Sequence, residues 1–302
     1  MSLCRSFGIT AKPCDSHDGL ERENMEPKIL AFDLDGTTVD DRGVLHQATK
    51  DALRRAREAG NIVCFVTGRR DVDMYAVQGQ CRGLVDYLLL NTGGKLVRVA
   101  DGEVLFNEYV RADDARKLIV HCLEHGYQLH VVSGMYWAVN RWTPGLQDYV
   151  DILGTRPVLY GSLDEVPYAE LEGMMATSDA GPVGKYVDKA GLEINYFKSE
   201  PGCIDLIPRC VNKWKGVLRF LEMLGSTPDR VIAFGDYDSD VSMLKGAGIG
   251  VAVRNAEPCA KAAADYITAA DNNHDAAADV IDDLLLGLRK GLCIPVKRSD
   301  DR

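Results

Sequence analysis

Two short apolar runs in this chain end the same way. Ile-Leu-Ala-Phe at 29–32 passes without a break into Asp33-Leu34-Asp35-Gly36-Thr37-Thr38, and Val-Ile-Ala-Phe at 231–234 passes into Gly235-Asp236-Tyr237-Asp238-Ser239-Asp240. Uninterrupted apolar runs of this length suit strands buried on both faces, which belong to parallel sheets covered by helices. In open α/β sheets, ligands bind at the carboxyl ends of the strands. Here both strand ends carry acids.

The surrounding rhythm supports such a sheet at both ends of the chain. Residues 47–59 have helical spacing, with Ala48, Ala52, Leu53 and Ala56 on one face and Gly60 as the stop. A second buried strand at 62–66 closes in Thr67-Gly68-Arg69; 70–80 reads as helix and 87–90 as a third strand. This β-α-β-α-β order predicts a parallel sheet with right-handed crossovers. The pattern then changes. Residues 95–99 and 103–106 read as a hairpin about Asp101-Gly102, 111–125 as a helix, and 127–133 with 135–141 as a strand pair. Helices at 145–153 and 183–190 and strands at 192–198 and 203–207 follow. From 212 the opening rhythm returns: helix 212–224, strand 230–234, helix 239–245, strand 249–253, helix 258–264, strand 266–268 and a closing helix over 275–288. The pattern predicts one discontinuous α/β core, 27–91 and 201–290, with an α+β domain inserted over 92–200. Residues 1–26, polar and without a period, read as a disordered tail, and 291–302 as a C-terminal tail.

Composition narrows the partners. Lys plus Arg is 35 against 45 for Asp plus Glu, a formal net charge of -10 in 302 residues. That balance argues against non-specific nucleic-acid binding. No apolar run approaches the roughly 18 residues of a membrane helix, and the opening residues have no apolar signal core. Nine scattered cysteines form no CxxC pair, which predicts free thiols in a reducing, cytoplasmic compartment. Cys64, inside an apolar strand, reads as a core residue.

Four features carry chemistry. Alternation along a strand can place Asp33 and Asp35 on one side. One carboxylate can then attack phosphorus while the other protonates the leaving oxygen and activates water. Gly36 lets the chain turn away. Thr67 offers a hydroxyl and a backbone N–H at a strand end, suited to a phosphoryl oxygen. Lys213 opens a helix, where a cation opposes the macrodipole unless an anion sits beside it; Lys215 competes for that role. Asp236, Asp238 and Asp240 repel one another unless a cation compensates, and their hard oxygens suit Mg²⁺ better than zinc.

Together these residues resemble the haloacid dehalogenase superfamily of phosphotransferases. The four signatures stand in order: DLDGT from Asp33, Thr67 within VTGR, Lys213, and GDxxxD from Gly235. The closest likeness is to the Cof-like sugar-phosphatase branch, through NTGG at 91–94, GVL after the lysine, and Arg254-Asn255-Ala256. The resemblance implies a Rossmannoid core with a cap inserted between the second and third signatures, and a Mg²⁺-dependent phosphatase of small phosphorylated metabolites. It implies Asp33 as nucleophile and Asp35 as general acid/base, with Thr67, Gly68 and Lys213 holding the phosphoryl group. Asp33, the Asp35 carbonyl and Asp236 would bind the metal, supported by Ser239 and Asp240. Two positions depart from the branch: Ser239 replaces the usual Asn, and Trp214 follows the lysine where Gly is common, with Gly216 displaced. Phosphomannomutases resemble the same layout, so phosphomutase or phosphotransferase activity is the alternative, and an inactive binding protein the third. Within the insertion, Arg141, Trp142, Lys185 and Lys198 are candidate substrate contacts that read more simply as surface residues. The His121/His125 pair lacks a third metal ligand, and Gly246-x-Gly248-x-Gly250 follows a helix instead of the strand a dinucleotide loop needs.

Overall fold

The computed structural model describes residues 28–200, 202–288 and 290–296. The tail expected over 1–26 lies outside the described residues. In chain order the strands are β1 (Ile29–Phe32), β2 (Ile62–Val66), β3 (Tyr87–Leu90), β4 (Lys95–Arg98) and β5 (Val104–Asn107); then β6 (His130–Ser133), β7 (Tyr136–Val139), β8 (Val158–Leu159), β9 (Gly173–Thr177), β10 (Ile194–Glu200) and β11 (Cys203–Pro208); and last β12 (Val231–Gly235), β13 (Ile249–Ala252), β14 (Tyr266–Thr268) and β15 (Cys293–Pro295). They form two sheets. The larger has the order β15-β14-β13-β12-β1-β2-β3-β4-β5, and the smaller β10-β11-β9-β6-β7-β8.

The large sheet is parallel from β14 through β3, as the apolar runs require. Its central strand shows why β1 has no polar side. Leu30 and Phe32 pack into one core and Ile29 and Ala31 into the other. Helices α1 (Gln47–Glu58) and α2 (Asp71–Cys81) supply the first core. The second is supplied by α6 (Lys213–Leu224), α7 (Val241–Gly246) and α8 (Pro258–Ala263). In the smaller sheet, α3 (Ala112–His125) and α5 (Ala180–Ala190) cover one face. The other face packs on α4 (Pro144–Leu153) and on Val72 of α2.

Several expectations are corrected. The hairpin β4–β5 adds antiparallel to β3 in the large sheet, so the change of sheet falls after Asn107 and not at 92. Strand β11 pairs with β9 and β10, so the smaller sheet runs on to Pro208 and the return lies past 201. Residues 293–295 form the edge strand β15 against β14, so the end of the chain from 291 is not wholly a tail; residues from 297 lie outside the described set. The closing helix divides into α9 (Ala276–Val280) and a π-helical turn over Ile281–Leu285, where Leu286 N–H donates to Ile281 O. Strand β9, central to the smaller sheet, had no expected counterpart.

Candidate active site

Register brings the signatures together. Phe32 of β1 is level with Phe234 of β12 and Phe65 of β2. The next residues, Asp33, Gly235 and Val66, therefore emerge side by side, and Asp33 N–H still donates to Phe234 O at 3.0 Å. Asp33 keeps the alternation of Ile29 and Ala31, which face the α6 core. Helix α6 begins there: Asn212 caps it by accepting from Lys215 N–H at 2.8 Å, and Lys213 is its first residue.

Lys213 is 3% exposed, and its Nζ donates to Asp33 Oδ1 at 2.5 Å and Asp240 Oδ1 at 2.6 Å. These anions justify a lysine at a helix N-terminus. Lys215 is exposed and, among the described residues, its bond at this site is its backbone N–H to the cap, so the competition resolves to Lys213. Asp240 is fully buried; its Oδ2 accepts from the N–H groups of Asp236 and Tyr237 at 3.0 and 3.1 Å. Both Asp240 oxygens are thus committed, and it shapes the 236–240 turn. Asp236 Oδ1 accepts from Thr37 Oγ1 at 2.9 Å. Burial, then the nearby Asp240 carboxylate, push the Asp33 carboxyl well above the usual carboxylate range against the pull of Lys213. Asp236 is raised for the same two reasons. Burial alone would lower the Lys213 ammonium, but Asp240 and Asp33 more than offset it and hold the group charged.

One ammonium therefore faces three carboxylates, whose oxygens at Asp33, Asp236 and Asp240 lie within 4.8 Å of one another. With Asp240 held by Lys213 and the backbone, the Asp33 and Asp236 oxygens are the donors that fit a hard divalent cation such as Mg²⁺. Gly36 is part of the fit. Its φ is +72°, and a Cβ there would stand 2.5 Å from Asp236 Oδ2.

Thr67 and Asp35 form a second group. Thr67 N–H is committed to Leu89 O at 2.9 Å, so of the two expected donors only the hydroxyl remains for a phosphoryl oxygen. That hydroxyl accepts from Arg69 N–H at 3.1 Å. The Arg69 guanidinium grips Asp35 in a fork, Nε to Oδ2 at 2.9 Å and Nη2 to Oδ1 at 2.7 Å, and this bonding holds Arg69 above its ordinary pKa. Strand β1 ends at Phe32, so the alternation that would align Asp35 with Asp33 does not carry through the turn, and Asp35 stays exposed. Behind Thr67 stands an unusual turn. Asn91, Thr92 and Gly93 take φ of 52°, 57° and 99°, and the two non-glycine residues cost on the order of 1–3 kcal/mol each. Its N–H groups reach Thr67 O from Thr92 and Arg69 O from Asn91. Gly93 abuts α6: a Cβ there would meet Asn212 O at 2.5 Å, and one on Gly216 would meet Gly93 O at 2.5 Å. The displaced Gly216 is the close-contact glycine, while Trp214 packs against Gly246.

Other candidates lie elsewhere. Ser239 is half-buried, and no hydrogen bond ties its hydroxyl to the acids among the described residues. Arg141 pairs with Asp179 at 3.0 Å, Trp142 carries the Arg156 guanidinium at 4.9 Å, and Lys185 and Lys198 are exposed. His121 stacks on Tyr186 at 3.6 Å, so the histidine pair is packing. Gly246, Gly248 and Gly250 meet Trp214, Asp229 and Leu244, which explains them as contact glycines. Sequence reasoning gave no role to Thr37, Arg69, Asn255 or Glu172. The first two sit inside the signatures, and Asn255, which donates to Gly36 O at 2.7 Å, lies in the stretch that carried the resemblance. Glu172 has no sequence signal.

A model of the haloacid dehalogenase-like hydrolase family matches residues 30–281. The 5-amino-6-(5-phospho-D-ribitylamino)uracil phosphatase YcsE of Bacillus subtilis is 26% identical over 256 residues, 82% of this chain and 92% of that protein. The pyridoxal phosphate phosphatase YbhA of Escherichia coli is 28% identical over 271 residues, 85% of this chain and 98% of that protein. Among solved structures, a haloacid dehalogenase-like hydrolase from Bacteroides thetaiotaomicron superposes with a TM-score of 0.77 at 25% identity, covering 85% of this chain and 99% of that one.

Proposed function

The chain belongs to the haloacid dehalogenase-like hydrolase family, and on that footing we propose that it is a Mg²⁺-dependent phosphatase of small phosphorylated metabolites, sugar phosphates foremost, working through an aspartyl-phosphate on Asp33. The observation that carries this reading is the buried Lys213 ammonium bound to both Asp33 and Asp240, with Asp236 alongside. A nucleophilic carboxylate needs its charge, and Lys213 opposes the burial that would protonate it.

Asp33 and Asp236, with the Asp35 backbone carbonyl, would hold the Mg²⁺, which when bound would supply positive charge against the phosphate oxygens. The chain's own groups do the rest. An Asp33 oxygen forms a bond to phosphorus as the ester P–O bond breaks, and the leaving oxygen takes a proton from Asp35. A water then attacks the aspartyl-phosphate, gives its proton to Asp35, and frees orthophosphate and the Asp33 carboxylate. Asp35 must leave the Arg69 fork for this, and the exposed position of its own side chain allows it. The Thr67 hydroxyl, the Gly68 N–H and Lys213 orient the phosphoryl oxygens. The smaller sheet and its helices, between Asn107 and Pro208, would act as a cap that excludes water and selects the substrate.

The test is orthophosphate release from a panel of sugar, nucleotide, flavin and pyridoxal phosphates, with Mg²⁺ and with chelator. Release that needs Mg²⁺ is the expected result. Isomer formation without release favours a mutase, and neither product from any compound leaves a binding protein.

A further inference from the structure

The Lys95 and Glu172 side chains are buried between the two sheets. Glu172 directly precedes β9 of the smaller sheet and is anchored there by its N–H to Val132 O. Its carboxylate reaches across to the large sheet. Oε1 accepts from Lys95 Nζ at 2.8 Å and from Asn107 Nδ2 at 2.6 Å, and Oε2 accepts from Asn91 Nδ2 at 3.1 Å. Lys95 also holds Asp71, the first residue of α2, at 2.8 Å.

The amides of Asn91 and Asn107 serve this carboxylate at their own cost. Both Oδ1 atoms are buried without a partner among the described residues. Asn91 also keeps a left-handed backbone that favours glycine. Asparagine is among the few non-glycine residues that tolerate such a backbone, so the turn alone accounts for the residue type but not for where its amide is directed. What the side chain adds is the tether to Glu172, and the turn it tethers touches both halves of the phosphate-holding apparatus. Asn91 and Thr92 bond the carbonyls of Arg69 and Thr67, while Gly93 presses on the backbone of Asn212 and Lys213.

Resting on the phosphatase reading above, we propose that Glu172 and Asn91 are a positioning pair for phosphoryl transfer: the carboxylate carried by the smaller sheet holds the Asn91 turn, and the turn sets Thr67 and Lys213 against the phosphate. The placement of the smaller sheet is thereby read directly by the catalytic loops. Neither residue touches the reacting atoms.

Asn91→Gly separates this role from simple packing. Glycine accepts the φ of this turn, so the backbone survives and the tether alone is lost. With 4-nitrophenyl phosphate and Mg²⁺, kcat falls by about tenfold or more. Inhibition by orthophosphate weakens by about fivefold, and the melting temperature stays within a few degrees of wild type. Glu172→Ala, which removes the carboxylate that accepts from Asn91, Asn107 and Lys95, produces the same kinetic losses. The double variant is no worse than the poorer single by more than about twofold, because both break one link. The proposal is overturned if both single variants keep kcat and orthophosphate inhibition within about twofold of an active wild type, whatever their melting temperatures, or if their losses multiply. A wild-type protein that releases no phosphate from any ester removes the phosphatase reading and this role together.

Discussion

At the residue scale, the site depends on how closely side chains approach one another. Gly36 is the clearest case, because its left-handed turn leaves room for Asp236 and nothing more. Gly36→Ala therefore does two things: it strains the backbone and pushes Asp236 away from Asp33. We expect the Mg²⁺ concentration for half-maximal activity to rise by about tenfold, with kcat falling by a similar factor. A titration of activity with Mg²⁺ checks this, and an unchanged metal requirement would remove Asp236 from the metal site. The acids, the lysine and the threonine of this site were legible in sequence because each follows an apolar strand or opens a helix. The Asp35–Arg69 fork was not, since it depends on β1 ending at Phe32 and the chain turning there.

At the element scale, the parallel strands β1, β2, β3 and β12 were readable to within a residue, because burial on both faces leaves unbroken apolar runs. Strand β9 escaped notice. Its sequence, Gly-Met-Met-Ala-Thr, carries no β-branched residue before its final threonine, and burial between β11 and β6 makes it a strand. Whether the β4–β5 hairpin joined the core or the insertion could not be read either, since a hairpin pattern does not say which sheet edge it extends. The smaller sheet contains a pH-sensitive group. His130 on β6 accepts from Trp137 Nε1 at 3.1 Å on β7 and faces Thr177 of β9. Burial, helped by the charge of Arg70, pushes it down to about 3 from 6.5. Between those values the unfolded chain binds a proton that the folded chain refuses. Stability from this group is complete above pH 6.5 and is lost as pH falls toward 3, with a slope of up to about 1.4 kcal/mol per pH unit. Denaturant midpoints should fall less steeply between pH 7 and pH 4.5 in His130→Gln than in wild type. Equal slopes would show that His130 does not carry the effect.

At the scale of the whole molecule, the apolar contact between the two units, beside the Glu172 bonds, includes Val72 of α2, which packs among Val132, Trp137, Val139 and Leu146 of the smaller unit. If that unit is the selecting cap, loosening this contact should affect choice of substrate more than chemistry. Val72→Asp is expected to lower kcat/KM for the best phosphorylated metabolite by about tenfold relative to 4-nitrophenyl phosphate. A ratio unchanged from wild type would argue that the contact is packing alone. The net charge of -10 takes on a local meaning here. Three of the acids gather at one point against a single lysine, and on the proposed reading they would bring a cation to an anionic substrate despite the overall negative charge. The central claim is that Asp33 forms the covalent bond to phosphorus. Its most direct test is Mg²⁺-dependent phosphate release by Asp33→Asn beside wild type, with both shown to be folded by circular dichroism. The account predicts release from wild type and none above background from the variant. Turnover by Asp33→Asn at the wild-type rate would contradict it.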